Sequence, residues 1–163
     1  MMEATVFDCK KQEGYSSFYY PHYYTEWMVT YRLIYGHRKE KVTTMTDSVR
    51  GGTSIANQLP DLRKEEVIES DAIKEIMTEH ACIEEAFETL RRHYLYRVRS
   101  WSVPTIELLA SQWVYIPYQL IEKPGRFSKK TKTYLFEPMS NSLDKIDKFP
   151  EIYQFIERKV GKI

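Results

Sequence analysis

Two stretches of the chain echo one another, and this constrains the fold more than any other feature. Residues 27–34 read WMVTYRLI and residues 114–121 read VYIPYQLI. At an offset of 87, Tyr31 meets Tyr118, Leu33 meets Leu120, Ile34 meets Ile121, and Val29 meets Ile116. Further on the offset is 90: Thr43 meets Thr133, Asp47 meets Glu137, and LPDL at 59–62 meets FPEI at 149–152. The three extra residues fall between Ile121 and Thr133, around Pro124-Gly125. Insertions belong in turns, so the spacing is that of a duplicated hairpin.

Each half then reads alike. A strand ends near Ile34 or Ile121, and a polar turn follows with Gly36 or Pro124-Gly125, the latter a type II turn signal. A return strand covers about 41–49 or 131–137. Pro60 and Pro150 suit the first position of a helix, where a missing N–H costs nothing, and Asp61 and Glu151 suit its dipole. The incoming strands alternate, with Trp27, Val29, Tyr31 and Leu33 on one face and Val114, Ile116, Tyr118 and Leu120 on its counterpart. These rows are the expected core. The strand–turn–strand–acid pattern resembles the hairpins of duplicated small bacterial α+β modules, including the PepSY type. The second half lacks the glycine that follows the acid in that family, and the resemblance assigns no functional residues.

Between the halves, Ile73, Ile76, His80, Ile83, Phe87, Leu90 and Tyr94 recur at spacings of three and four, which predicts a helix over 71–98. Ser70 suits the N-cap, and the helix would be roughly 40 Å long. A shorter amphipathic helix is expected in FPEIYQFIERKVGKI. The predicted architecture is therefore α+β: a mainly antiparallel sheet of about four strands from two ββα-like repeats, with one long helix packed on one face. The 163 residues suit a single domain over 1–163, with repeat halves at about 15–98 and 99–163.

Composition narrows function mainly by exclusion. The chain carries 24 Lys or Arg against 23 Asp or Glu, a net +1, so it is no wholesale polyanion binder. The charge is segregated, however. Residues 61–88 hold ten acids and three bases, and residues 89–132 hold nine bases and two acids. The first segment lacks the basic and apolar regions of a signal peptide, and no apolar run is long enough to span a bilayer. With Cys9 and Cys82 as the only cysteines, a disulfide framework is excluded, and the expected location is cytoplasmic with no membrane contact.

Three candidate surfaces stand out. The tract FYYPHYYTEW at 18–27 offers Tyr19, Tyr20, Tyr23, Tyr24 and Trp27, aromatics of the kind enriched at interfaces. Pro21 cannot donate to a ladder, which reads as an edge strand available to a protein partner or a second copy. The basic hairpin tips (37–41 and 123–132) and the helix end (91–101) hold Arg38, Lys39, Lys41, Arg91, Arg92, Arg97, Arg99, Arg126, Lys129, Lys130 and Lys132. These interleave with Tyr94, Tyr96 and Trp101, as a nucleic-acid groove requires. The loop at 47–54, with Arg50, Gly51, Gly52 and Thr53, could hold a small anion on its amides.

No catalytic motif, metal-ligand set or cofactor signature occurs. His80 and Glu84 stand at i, i+4, but His80 also lies on the apolar stripe and reads as a core histidine. The leading expectation is a non-catalytic binding or assembly module, self-associating as a homodimer through the Tyr-rich edge and an exposed sheet face. A nucleic-acid-binding module is the alternative, and an enzyme or anion binder near 47–54 is the third reading.

Overall fold

The computed structural model describes residues 1–56, 61–124, 131–138 and 140–160. In chain order the elements are strands β1 (Met2–Phe7), β2 (Ser17–Leu33), β3 (Gly36–Asp47), β4 (Thr53–Ala56) and β5 (Leu62–Val67), helix α1 (Glu79–Arg92), strands β6 (Thr105–Pro124), β7 (Thr131–Glu137) and β8 (Ser142–Lys145), and helix α2 (Pro150–Val160). The sheet is mixed, with strand order β4-β3-β2-β6-β1-β5; β7 pairs with β6, and β8 with β7. This overturns the expected four-stranded antiparallel sheet with one long helix.

Three local causes explain the difference. First, residues 72–77 do not join α1, because their amides are used elsewhere. Ile73 N–H donates to Tyr19 O at 2.9 Å, and Ile76 and Met77 N–H both donate to Ser48 O at 2.9 and 2.8 Å. Thr78, not Ser70, caps the helix, its side chain accepting from Ala81 N–H at 3.2 Å. Second, the two apolar–Pro–acid segments diverge. Pro150 does open α2, but Leu62 opens β5, which pairs along the whole of β1 from Phe7↔Leu62 to Met2↔Val67. A neighbouring edge with open hydrogen-bonding groups overrides local helix signals.

Third, the matched strands are not matched in their ladders. Glu26 faces Thr43 in the β2–β3 pair, while Glu122 faces Thr133 in the β6–β7 pair. The first strands thus correspond at an offset of 96, whereas Tyr31 and Tyr118 align at 87. The following turns do keep the offset of 90, with Thr46↔Thr53 in one and Phe136↔Leu143 in the other. Gly51 (φ +85°) and Asn141 (φ +53°) occupy the same left-handed position in these two turns.

The chain forms two compact units. One comprises Met1–Pro21, Pro60–Lys74 and Tyr115–Ile163; the other comprises His22–Leu59 and Glu75–Val114. The chain enters each more than once, so neither coincides with a chain half.

The unit built on β2 and β3 has the clearest core. β2 turns into β3 through Ile34 and Tyr35, with Gly36 at φ +115°, a conformation that disfavours any side chain. Trp27, Val29 and Tyr31 are buried in one row and pack with Ala86, Leu90 and Tyr94. The buried residues of α1 are Cys82, Ala86 and Leu90; of the stripe that the sequence suggests, Leu90, Tyr94 and Ile73 are buried and Ile83 packs against the core. Phe87 of that stripe is exposed on α1, and Ile76 is exposed in the segment before the helix. His80, expected in the core, is exposed and pairs with Glu84 at 2.9 Å.

In the other unit, Ala4, Val6, Tyr19 and Val67 form a small core with Met2, Ala72 and Tyr115 against it. Phe18 stacks on Tyr118 with centroids 5.8 Å apart and meets Phe155 of α2 at 6.1 Å. The buried residues of β6 here are Pro117, Gln119 and Ile121, so the expected row of Ile116, Tyr118 and Leu120 is the less buried one. Val114 is buried in the preceding unit, and the parity of burial changes just where β6 leaves it.

Candidate interaction surfaces

The Tyr-rich tract is interior. β2 lies between β3 and β6, and Tyr19, Tyr20, Tyr23 and Trp27 are each at most 5 % exposed. Their polar atoms are used within the fold. Tyr19 O–H donates to Glu65 at 3.1 Å and accepts from Lys11 Nζ at 3.0 Å. Trp27 Nε1–H donates to Thr44 Oγ1 at 3.1 Å, and the hydroxyls of Thr44 and Thr25 hydrogen-bond each other. Tyr24 is half-buried and donates to Glu26 at 2.7 Å. Residue type pointed to contact area, but the length of β2 puts that area in the core.

The loop at 47–54 is also committed. Asp47 Oδ1 accepts from Val49 and Arg50 N–H, both at 2.9 Å, and Gly51 N–H donates to Asp47 O at 3.0 Å. Gly52 N–H donates to Glu85 Oε1 at 2.5 Å. The Asp47 and Glu85 carboxylates and the Asp47 carbonyl already occupy the amides that an anion would need. Thr53 shares a hydrogen bond with Thr46 at 2.9 Å. Among the described residues no group of three or more His, Cys, Asp or Glu is placed to hold a metal ion.

The basic segments meet an uneven fate. Arg126, Lys129 and Lys130 lie outside the described residues, as does the side chain of Lys132. Arg91 and Arg92 grip Glu88 at 2.6 and 3.2 Å, and the Arg91 hydrogen bond foremost holds that carboxyl down at about 2. Lys41 pairs with Glu26 at 3.3 Å. The remaining cations are brought together. Past α1 the chain makes a π-helical turn over His93–Arg97 and returns to the end of β2. Trp101 N–H donates to Arg32 O at 2.8 Å, and Arg32 N–H donates to Ser100 Oγ at 3.2 Å. Tyr94 O–H donates to Glu40, and its ring lies 4.9 Å from that of Tyr31. These contacts set the β2–β3 tip, with Arg32, Arg38 and Lys39, beside Arg97 and Arg99.

A second surface has no counterpart in the sequence reading. In β6, every residue of 105–112 except Ile106 is exposed. In comparisons with known proteins, no family model matches the chain, and no curated protein or solved structure matches it. Its reading therefore rests on these surfaces. Residues 105–112 read TIELLASQ, with Leu108 38 % and Leu109 46 % exposed and Glu107 as the one charge. β2 is the sheet neighbour on one side; on the other, the described pairing with β1 is at Tyr115. The only sequence signal for it is a single charge beside two adjacent leucines, which follows no strand or helix period. No helix among the described residues is long and apolar enough to cross a membrane.

Two titrating groups in the core beneath α1 carry a prediction. Burial first, then the carboxylates of Glu85, Asp47 and Glu79, push the Cys82 thiol up to about 11 from 9.0. Burial and the hydrogen bond to Glu40 raise Tyr94 as well. Both are acids whose neutral form the fold prefers. Their contribution to stability is complete below the unfolded value and is lost as pH rises through the folded one. Urea midpoints should hold near neutrality and fall from pH 9.0 upward, and a thiol reagent should modify Cys82 only through unfolding. Rapid native-state labelling of Cys82 would show that its burial is overstated.

Proposed function

We propose that the protein is a non-catalytic assembly module that associates with a second copy of itself through the outer edge of β6 at 105–112. The observation that carries this reading is a strand segment of low charge, exposed at every residue but Ile106, with no described strand on its far side. Monomeric proteins blunt such edges with lysine, proline or bulges; here there is one glutamate in eight residues. Antiparallel pairing about the midpoint sets Leu108 against Leu109 of the second copy, and Glu107 against Ala110. No like charges face each other. The contact is self-complementary, as a two-fold dimer requires. The Tyr-rich tract supports this edge from within the sheet: Tyr23 meets Trp113 of β6 edge-on at 4.9 Å.

Light scattering on eluting protein tests the reading. Wild type should show twice the chain mass, falling towards one on dilution. Leu108→Lys with Leu109→Lys should give the single-chain mass at every concentration and should melt where wild type melts once diluted to single chains. A wild-type monomer at the highest soluble concentration overturns the proposal.

A further inference from the structure

We infer that the end of the β2–β3 hairpin and the segment after α1 form a binding surface for single-stranded nucleic acid. Arg32, Arg38, Lys39, Arg97 and Arg99 make no ion pair among the described residues, and all five are exposed. Glu40 is the one acid within this tip, and it accepts from the hydroxyls of Tyr94 and Tyr31. Cations left without partners in one place match a polyanion, whose bound counterions are released on contact.

Charge alone would suit any phosphate-bearing surface; the aromatic rings narrow the choice. Tyr35 is 89 % exposed, Tyr96 73 % and Trp101 66 %. Among the described residues none of these rings stacks on another, although Tyr23, Trp27, Tyr31 and Tyr94 do pack ring against ring. Flat rings standing in water beside unpaired guanidinium groups suit the faces of unstacked bases. In a duplex the base faces are hidden, so the rings have nothing to stack on. An acidic peptide would use the cations and leave the rings idle.

The ladder shows how the surface is presented. Tyr31 faces Arg38 and Val29 faces Glu40, so these side chains share the face that packs on α1. Arg32 and His37 face one another on the opposite side, as do Thr30 and Lys39. Cations therefore flank the tip on both faces. The Ser100–Trp101 backbone, tied to Arg32, carries Arg99 alongside in a left-handed conformation at φ +58°. A strand passing around the tip meets phosphate ligands on either side and rings at the turn.

Fluorescence anisotropy with labelled oligo-dT tests this. Binding should weaken as salt rises, and each of Arg38→Ala and Arg97→Ala should lower the slope of log K against log salt by about 0.7. Trp101→Ala and Tyr35→Ala should weaken binding at least about fivefold while leaving that slope unchanged, because stacking is not ionic. Lys64→Ala, on β5, should change nothing. Thermal melts confirm that each variant folds. Absence of oligo-dT binding at low salt overturns the inference. So does equal affinity for duplex DNA, or for anionic vesicles, with no loss on removing Trp101. The Leu108→Lys, Leu109→Lys protein, monomeric by design, should still bind, which keeps this result separate from the self-association reading.

Discussion

Truncating Trp27 to alanine should lower the stability of the protein by about 3–5 kcal/mol, the cost of emptying a fully buried aromatic site. Trp27 is 2 % exposed at the centre of the row that β2 turns towards α1. Its ring tilts against Phe87 at 6.2 Å, and its Nε1–H donates to Thr44. Two losses therefore coincide, the packing and the hydrogen bond. Trp27→Phe separates them. It keeps most of the apolar contact and removes the donor, and Thr44 still has the Thr25 hydroxyl, so this variant should lose less than half as much. Urea unfolding followed by circular dichroism reads both. A loss of under about 1 kcal/mol for the alanine variant would mean that the site collapses freely around the gap.

A change of one atom type at Gln119 should be almost as damaging. Gln119 is 1 % exposed, and its amide spans three bonds to the loop before β2. Nε2–H donates to Gln12 O at 2.9 Å and to Tyr15 O at 3.2 Å, while Oε1 accepts from Gln12 N–H at 2.9 Å. Gln119→Glu turns the donor end into an acceptor facing two carbonyl oxygens. A buried carboxylate left without a partner costs about 3–5 kcal/mol. The sign with pH is opposite to the usual carboxylate. The introduced acid has its folded pKa raised, so stability is present in acid, where it is protonated, and is lost as pH rises. The expected result is a variant whose midpoint deficit at neutral pH narrows on acidification. Hydrogen exchange at Gln12 N–H gives the local readout and should quicken. Equal stability at neutral pH would show that the loop simply swings away.

The contrast between these two residues shows what could be read in advance. Trp27 was legible, because strict alternation over Trp27, Val29 and Tyr31 is a property of the strand itself, whatever it pairs with. Gln119 was not. It sits on β6 among residues of every polarity, and its role depends on backbone groups more than a hundred positions earlier. The same division runs through the rest of the fold. Pro150 opens a helix because nothing competes, whereas Leu62 joins β1 because an open edge was there to be paired. The stretch after Asp47 read as a glycine-containing loop able to hold an anion, and its pairing as a hairpin into β4 was not foreseen. That Asp47 and Glu85 would fill the nest could not be seen, since Glu85 comes from α1. Candidate surfaces fared likewise. Counting aromatics found the Tyr-rich tract, but a strand of 17 residues with neighbours on both sides keeps such rings inside. The cations at 38–39 and 97–99 were named separately. Their adjacency follows from the turn after α1, whose return to Arg32 no local pattern announces.

The order in which the polypeptide leaves the ribosome gives the two compact bodies different histories. All that the body holding Trp27 requires lies between His22 and Val114, so it can close once that stretch has emerged. The other draws on Met1–Pro21 and on Tyr115–Ile163. Its strand β1 can pair with β5 as soon as Val67 is out, but gains β6 beside Val6 only after Tyr115 has followed. Throughout that interval one flank of β1 stays unpaired, and a nascent chain stalled as Val114 clears the ribosome should already protect Trp27 while Phe18 still lacks Tyr118 and Phe155.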